Sequence, residues 1–106
     1  MWDRLAQALQ RRFGKVPTLE ELLFLVGLNE LGYWPAGEDK QVKYDLIHLG
    51  FLTLLERAGY VRRQSVDAEG WPTWVWAQDP PRWNPSDEAA FLREALCAYF
   101  AQLWEF

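Results

Sequence analysis

Apolar residues recur along this chain with two different periods, and the change of period marks its elements. Trp2, Leu5, Leu9 and Phe13 stand three and four apart, which predicts a helix over about Asp3 to Phe13 with one apolar stripe, closed by Gly14. Thr18-Leu19-Glu20-Glu21 reads as a capping box after Pro17, because the threonine hydroxyl can accept from the third helical amide while Glu21 reaches back. From Leu19 to Leu31 apolar residues occur nearly all round, the pattern of a buried helix, and Gly32 ends it. After a loop over 33–39, a third helix is predicted from about Glu38 to Ala58. Tyr44, Ile47, Phe51, Leu54, Leu55 and Ala58 form one apolar arc of it, and Val42, Leu46 and Leu49 form another. The polar strips left over are narrow. One holds Gln41, Asp45, His48 and Glu56, and the other Lys43 and Arg57. Gly50 in mid-helix costs about 1 kcal/mol against alanine, so close packing of a neighbour is its expected role.

Beyond Gly59 the period shortens to two. Tyr60–Val66 and Trp71–Ala77 read as the arms of a β-hairpin around a polar turn, Asp67-Ala68-Glu69-Gly70. Alternation sets Trp74 and Trp76 on one face and Thr73, Val75 and Ala77 on the other. Asp79-Pro80-Pro81 breaks the strand. Asn84 then caps a last helix with Pro85 in its first turn, and Leu92, Leu96, Tyr99, Phe100, Leu103 and Trp104 give that helix a wide apolar face. That face must cover either the chain's own core or a second subunit.

The order helix, helix, helix, hairpin, helix, together with the phrase Leu55-Glu56-Arg57-Ala58-Gly59-Tyr60-Val61-Arg62-Arg63, resembles the winged-helix superfamily. The strings Lys43-x-Asp45-Leu46-Ile47-His48 and Asp67-x-x-Gly70-Trp71-Pro72 are similar to short uncharacterised bacterial proteins, which carry no activity over to this chain. The resemblance implies an α+β, mainly α fold: a winged-helix-like three-helix core, a β-hairpin wing and an extra C-terminal helix. One domain is expected over 1–106, with core and wing in 1–83 and the last helix in 84–106. A fold of this kind does not fix a function.

Composition changes this picture in one respect. Seven Trp, four Tyr and six Phe are more aromatic residues than alternation and stripes alone account for, so any excess on the surface marks a contact site. The formal net charge is −4, unevenly spread: +3 over residues 1–15, −5 over 16–39, +3 over 40–63 and −5 over 64–106. Net acidity argues mildly against non-specific affinity for nucleic acid or an anionic membrane, while the 40–63 block allows a local basic patch. Cys97 is the single cysteine, so no intrachain disulfide is possible, and it reads as a small core residue. Apolar runs shorter than a membrane span and a start unlike a signal sequence give a cytoplasmic protein, not a membrane protein, as the expectation.

Candidate chemistry is sparse. Asp45 and His48, three residues apart on a helix, can touch as a piece of a general-base pair. No nucleophile or second ligand accompanies them, so a local hydrogen bond orienting a half-buried His is expected. Glu20-Glu21 and Asp87-Glu88 sit in first turns, where negative charge offsets the helix dipole. No catalytic residue, cofactor site or metal site is expected, and no enzyme.

Two binding surfaces compete. A winged helix that reads duplex DNA would use Lys40, Gln41, Lys43 and Tyr44 at the start of the third helix, with Arg62 and Arg63 of the wing on phosphate. A protein-interaction module would use the aromatic hairpin instead, with Trp71, Trp74, Arg62 and Arg63 against a protein partner or a second copy of the chain. The third helix, apolar on two arcs, is expected to leave little surface for a groove. The interaction module, in its simplest version self-associating through the last helix, is therefore the favoured expectation, with DNA binding as the alternative.

Overall fold

The computed structural model describes residues 1–37 and 40–104. It is a mainly α, α+β fold with helices α1 (Trp2–Phe13), α2 (Leu19–Leu31), α3 (Lys40–Arg57) and α4 (Pro85–Leu103), and strands β1 (Val61–Val66) and β2 (Pro72–Trp76) between α3 and α4. The expected start of the third helix at Glu38 lies outside the described residues. The chain divides into two compact units, residues 1–22 with 83–106, and residues 23–82.

In the first unit, Leu5, Ala8 and Leu9 of α1 and Leu92, Leu96, Cys97, Tyr99 and Phe100 of α4 are buried, and the two helices pack on each other. Each leucine so buried contributes roughly 1.5–3 kcal/mol. Phe13, at the end of the α1 stripe, stays 47% exposed. The apolar face of α4 is thus largely taken up inside the chain, leaving Leu103 exposed. Trp104 follows the helix, stacks on Phe100 at 4.7 Å and carries the Arg12 guanidinium 4.0 Å above its ring. Both expected caps form. The Thr18 hydroxyl accepts from Glu21 N–H at 3.1 Å while Thr18 N–H donates to the Glu21 carboxylate at 3.2 Å. The Asn84 side chain accepts from Asp87 N–H at 2.8 Å.

The second unit is built on a crossing of α2 and α3. Gly27 and Gly50 are both buried, and a Cβ on either would overlap a backbone carbonyl of the other helix, that of Leu46 for Gly27 and that of Leu23 for Gly50. The glycine in mid-α3 does permit the close approach expected of it, and Gly27 is its counterpart. Thr53, the buried polar residue of α3, has its hydroxyl satisfied by the Leu49 carbonyl at 2.8 Å. Gly59, at φ 88°, turns the chain out of α3, and Tyr60 N–H closes on the Leu55 carbonyl at 2.9 Å before β1 begins.

Burial along α3 is not even, and here the sequence expectation needs correction. Leu49, Gly50, Thr53, Leu54 and Leu55 in the trailing half are buried, whereas Leu46 is the buried residue of the leading half. Tyr44, assigned to an apolar arc, is 56% exposed. A helical wheel sums apolar positions over the whole length and so misses a helix buried more deeply at one end than at the other.

The hairpin is antiparallel, pairing Val61 with Trp76, Arg62 with Val75, Arg63 with Trp74, Ser65 with Thr73 and Val66 with Pro72, with an irregularity in β1 between Arg63 and Ser65. Its turn is held by Asp67, whose carboxylate accepts from the N–H groups of Glu69 and Trp71, each at 2.9 Å, while Gly70 adopts φ 91°.

Candidate functional site

Strand alternation separates the two arginines that the sequence places side by side. Arg63 shares the face of Val61, Trp74 and Trp76, and Arg62 shares the other with Ser65, Thr73 and Val75. The first face meets acidic residues of the helices. Arg63 donates to Glu30 of α2 at 2.7 Å, lies 3.4 Å from the Glu56 carboxylate of α3, and holds its guanidinium 5.1 Å from the centre of the Trp74 ring. Two carboxylates and an aromatic face therefore surround one guanidinium, and little of its charge is left for an outside phosphate. Arg62 is exposed on the opposite face, beside the Ser65–Thr73 hydroxyl pair at 2.8 Å.

The start of α3 is the other candidate surface. Lys40, Gln41, Lys43 and Tyr44 are all exposed, as are Asp45 and His48. Gln41 donates to the Asp45 carboxylate at 2.8 Å. Among the described residues no hydrogen bond or ion pair joins Asp45 to His48, so the expected pair does not form, and His48 is exposed instead of half-buried. The i, i+4 amide captures the carboxylate that the imidazole three residues on would have needed.

Of the hairpin tryptophans, Trp71 and Trp74 are half-buried, and Trp76 is 52% exposed. Sequence reasoning missed Tyr33 and Trp34, in the segment between α2 and α3. Trp34 is 67% exposed, and its ring meets that of Phe24 edge to face with centres 6.0 Å apart. The Tyr33 hydroxyl donates to the Glu69 carbonyl of the hairpin turn at 2.6 Å. Two adjacent aromatics in a short loop bounded by Gly32 and Pro35 are the signal that was available. Glu30 and Glu56 were also missed as partners of Arg63. Glu30 lies 33 residues from Arg63, and no local rule links them.

Cys97 is buried in α4, and the loss of water around its thiol raises its pKa, the nearby amino terminus opposing this and Glu94 adding to it. A thiol so held is a poor nucleophile. Among the described residues no group of three or more His, Cys, Asp or Glu side chains is placed to hold a metal ion. Among the described residues no helix is long and apolar enough to cross a membrane. No family model, no curated protein and no solved structure matches this chain.

Proposed function

We propose that this chain is a non-enzymatic protein-interaction module on a winged-helix-like frame, with its contact surface in residues 33–76. The observation that carries the reading is the contrast between aromatics and cations in that stretch. Tyr33, Trp34, Tyr44 and Trp76 lie exposed, the residue types that dominate protein interface energetics. Of the two hairpin arginines, Arg63 is engaged by Glu30 and Glu56.

A second reading is favoured by one observation, the exposed polar residues at the start of α3. Lys40, Gln41, Lys43 and Tyr44 offer donors of the kind that meet base edges and phosphate, with Arg62 exposed on the hairpin. Against it stand Asp45 on the same exposed stretch, Glu38 and Asp39 immediately before it in sequence, and the net charge of −4. Each acid near a phosphate repels it.

Tryptophan fluorescence during titration with mixed-sequence duplex DNA separates the two. The interaction module predicts no response at low salt. A response that fades steeply as salt rises would overturn it and establish the duplex reading. In that event Lys40→Glu with Arg62→Glu abolishes the response, while Arg63, which braces the fold, is left in place.

A further inference from the structure

We propose that the outer edge of β2 pairs with the same edge of a second copy of this chain, joining two hairpins into one continuous antiparallel sheet. The inference rests on the interaction-module reading and deepens it by naming the partner.

The edge is open by construction. β1 contacts α3 and pairs with β2, and β2 pairs with β1 alone among the described residues. Ala77 N–H donates to the Tyr60 carbonyl and Asp67 N–H to the Trp71 carbonyl, each at 2.9 Å, so residues 71, 73, 75 and 77 turn their backbone groups toward β1. The N–H and C=O groups of Trp74 and Trp76 then point away, and no hydrogen bond from outside the hairpin reaches them among the described residues. Such a row of groups is matched by an extended strand.

The composition of the edge selects that strand. Natural edges are usually blunted by charge, by proline or by a bulge. β2 carries no charged residue, its one proline stands at its first position, and the irregularity of the hairpin lies in β1. β1 by contrast carries Arg62 and Arg63. A strand without charge can lie against its own copy around a two-fold axis with no like charges meeting. The register follows from the backbone. Trp74 opposite the partner's Trp76, with Val75 opposite the partner's Val75, uses the outward N–H and C=O of both tryptophans. A register centred on Trp74 would set Trp76 against the partner's Pro72, which has no N–H to give. The favoured register also brings Trp74 and the partner's Trp76 together on one face as a cross-strand aromatic pair.

Sedimentation of the full chain from about 10 µM to about 1 mM tests the pairing, a range suited to a short interface. The expected result is an average mass that rises toward twice that of the monomer. Trp76→Pro removes an N–H that meets no partner among the described residues of one chain, and should stay folded and monomeric throughout. Val75→Cys should cross-link to itself on mild oxidation, because directly opposed non-hydrogen-bonded residues come within disulfide range, whereas Thr73→Cys should not. A chain that stays monomeric at the highest concentration overturns the pairing, as does a dimer that survives Trp76→Pro or a Thr73→Cys that links as fast as Val75→Cys. A monomer indifferent to duplex DNA sinks the pairing and leaves the interaction module in need of another partner. Salt-sensitive binding to duplex sinks the module itself.

Discussion

Gly27 and Gly50 lock α2 to α3 main chain against main chain. A methyl group on Gly50 would overlap the Leu23 carbonyl and stand 3.1 Å from the Gly27 nitrogen, and one on Gly27 would overlap the Leu46 carbonyl. In neither case is the obstacle a side chain that can swing aside. Alanine at either site gains up to about 1 kcal/mol of helix propensity but forces the helices apart, at a cost of roughly 1–3 kcal/mol or more. Gly27→Ala and Gly50→Ala should each lower the unfolding free energy measured in urea, by about 1 kcal/mol or more net. Because both act on one crossing, the double variant should lose less than the sum. A Gly50→Ala protein as stable as the parent would show that the crossing is not this close.

Arg63 is the clasp between helices and hairpin. Arg63→Ala gives up two ion pairs and the Trp74 contact. Its side chain is one-third exposed, so solvent moderates the loss, which should come to about 1 kcal/mol in urea unfolding. Arg63→Lys keeps the charge and should recover only part of it, since an ammonium cannot offer the planar fork to two carboxylates. High salt should narrow the gap between parent and Arg63→Ala.

The Asn84 cap predicts a simpler outcome. Asn84→Ala frees the Asp87 N–H that its side chain holds at 2.8 Å and should cost about 1 kcal/mol. Asn84→Asp keeps the acceptor and should cost almost nothing by the same thermal or urea assay.

Glu21 gives the pH prediction. The Thr18 N–H bonded to its carboxylate, with Lys15 at 3.3 Å, lowers its pKa below the ordinary glutamate value. A carboxylate depressed in this way contributes stability that is present above its unfolded pKa and lost as pH falls through the lower folded value. A carboxyl NMR titration should place the Glu21 midpoint below that of a free glutamate, and Thr18→Val, which removes the hydroxyl half of the box, should raise it. An unchanged midpoint in Thr18→Val would show that the reciprocal bond does not form in solution.

What the sequence made legible is what local chemistry decides. Thr18 with Glu21, Asn84 with Pro85, and the alternation of Trp74 and Trp76 depend on residues a few positions apart. Each appears where its pattern placed it. The site was less legible, because its decisive contacts are distant in sequence. Nothing near Arg63 announces that Glu30 will take its charge, and nothing near Asp45 ranks Gln41 above His48. Tyr44 misled for another reason. Its ring counts as apolar on a wheel, yet it stands on the turns of α3 that the core does not reach.

The hairpin is moored at two places, midway along its ladder by Arg63 between Glu30 and Glu56 and at its tip by the Tyr33 hydroxyl on the Glu69 carbonyl. A two-stranded ribbon left to itself is barely stable in water, and one free to swing would surrender its freedom on capture. This one has surrendered most of it in the act of folding. Whatever meets it finds a preset surface, so association should proceed at ordinary docking speed, with little ordering entropy lost from the ribbon.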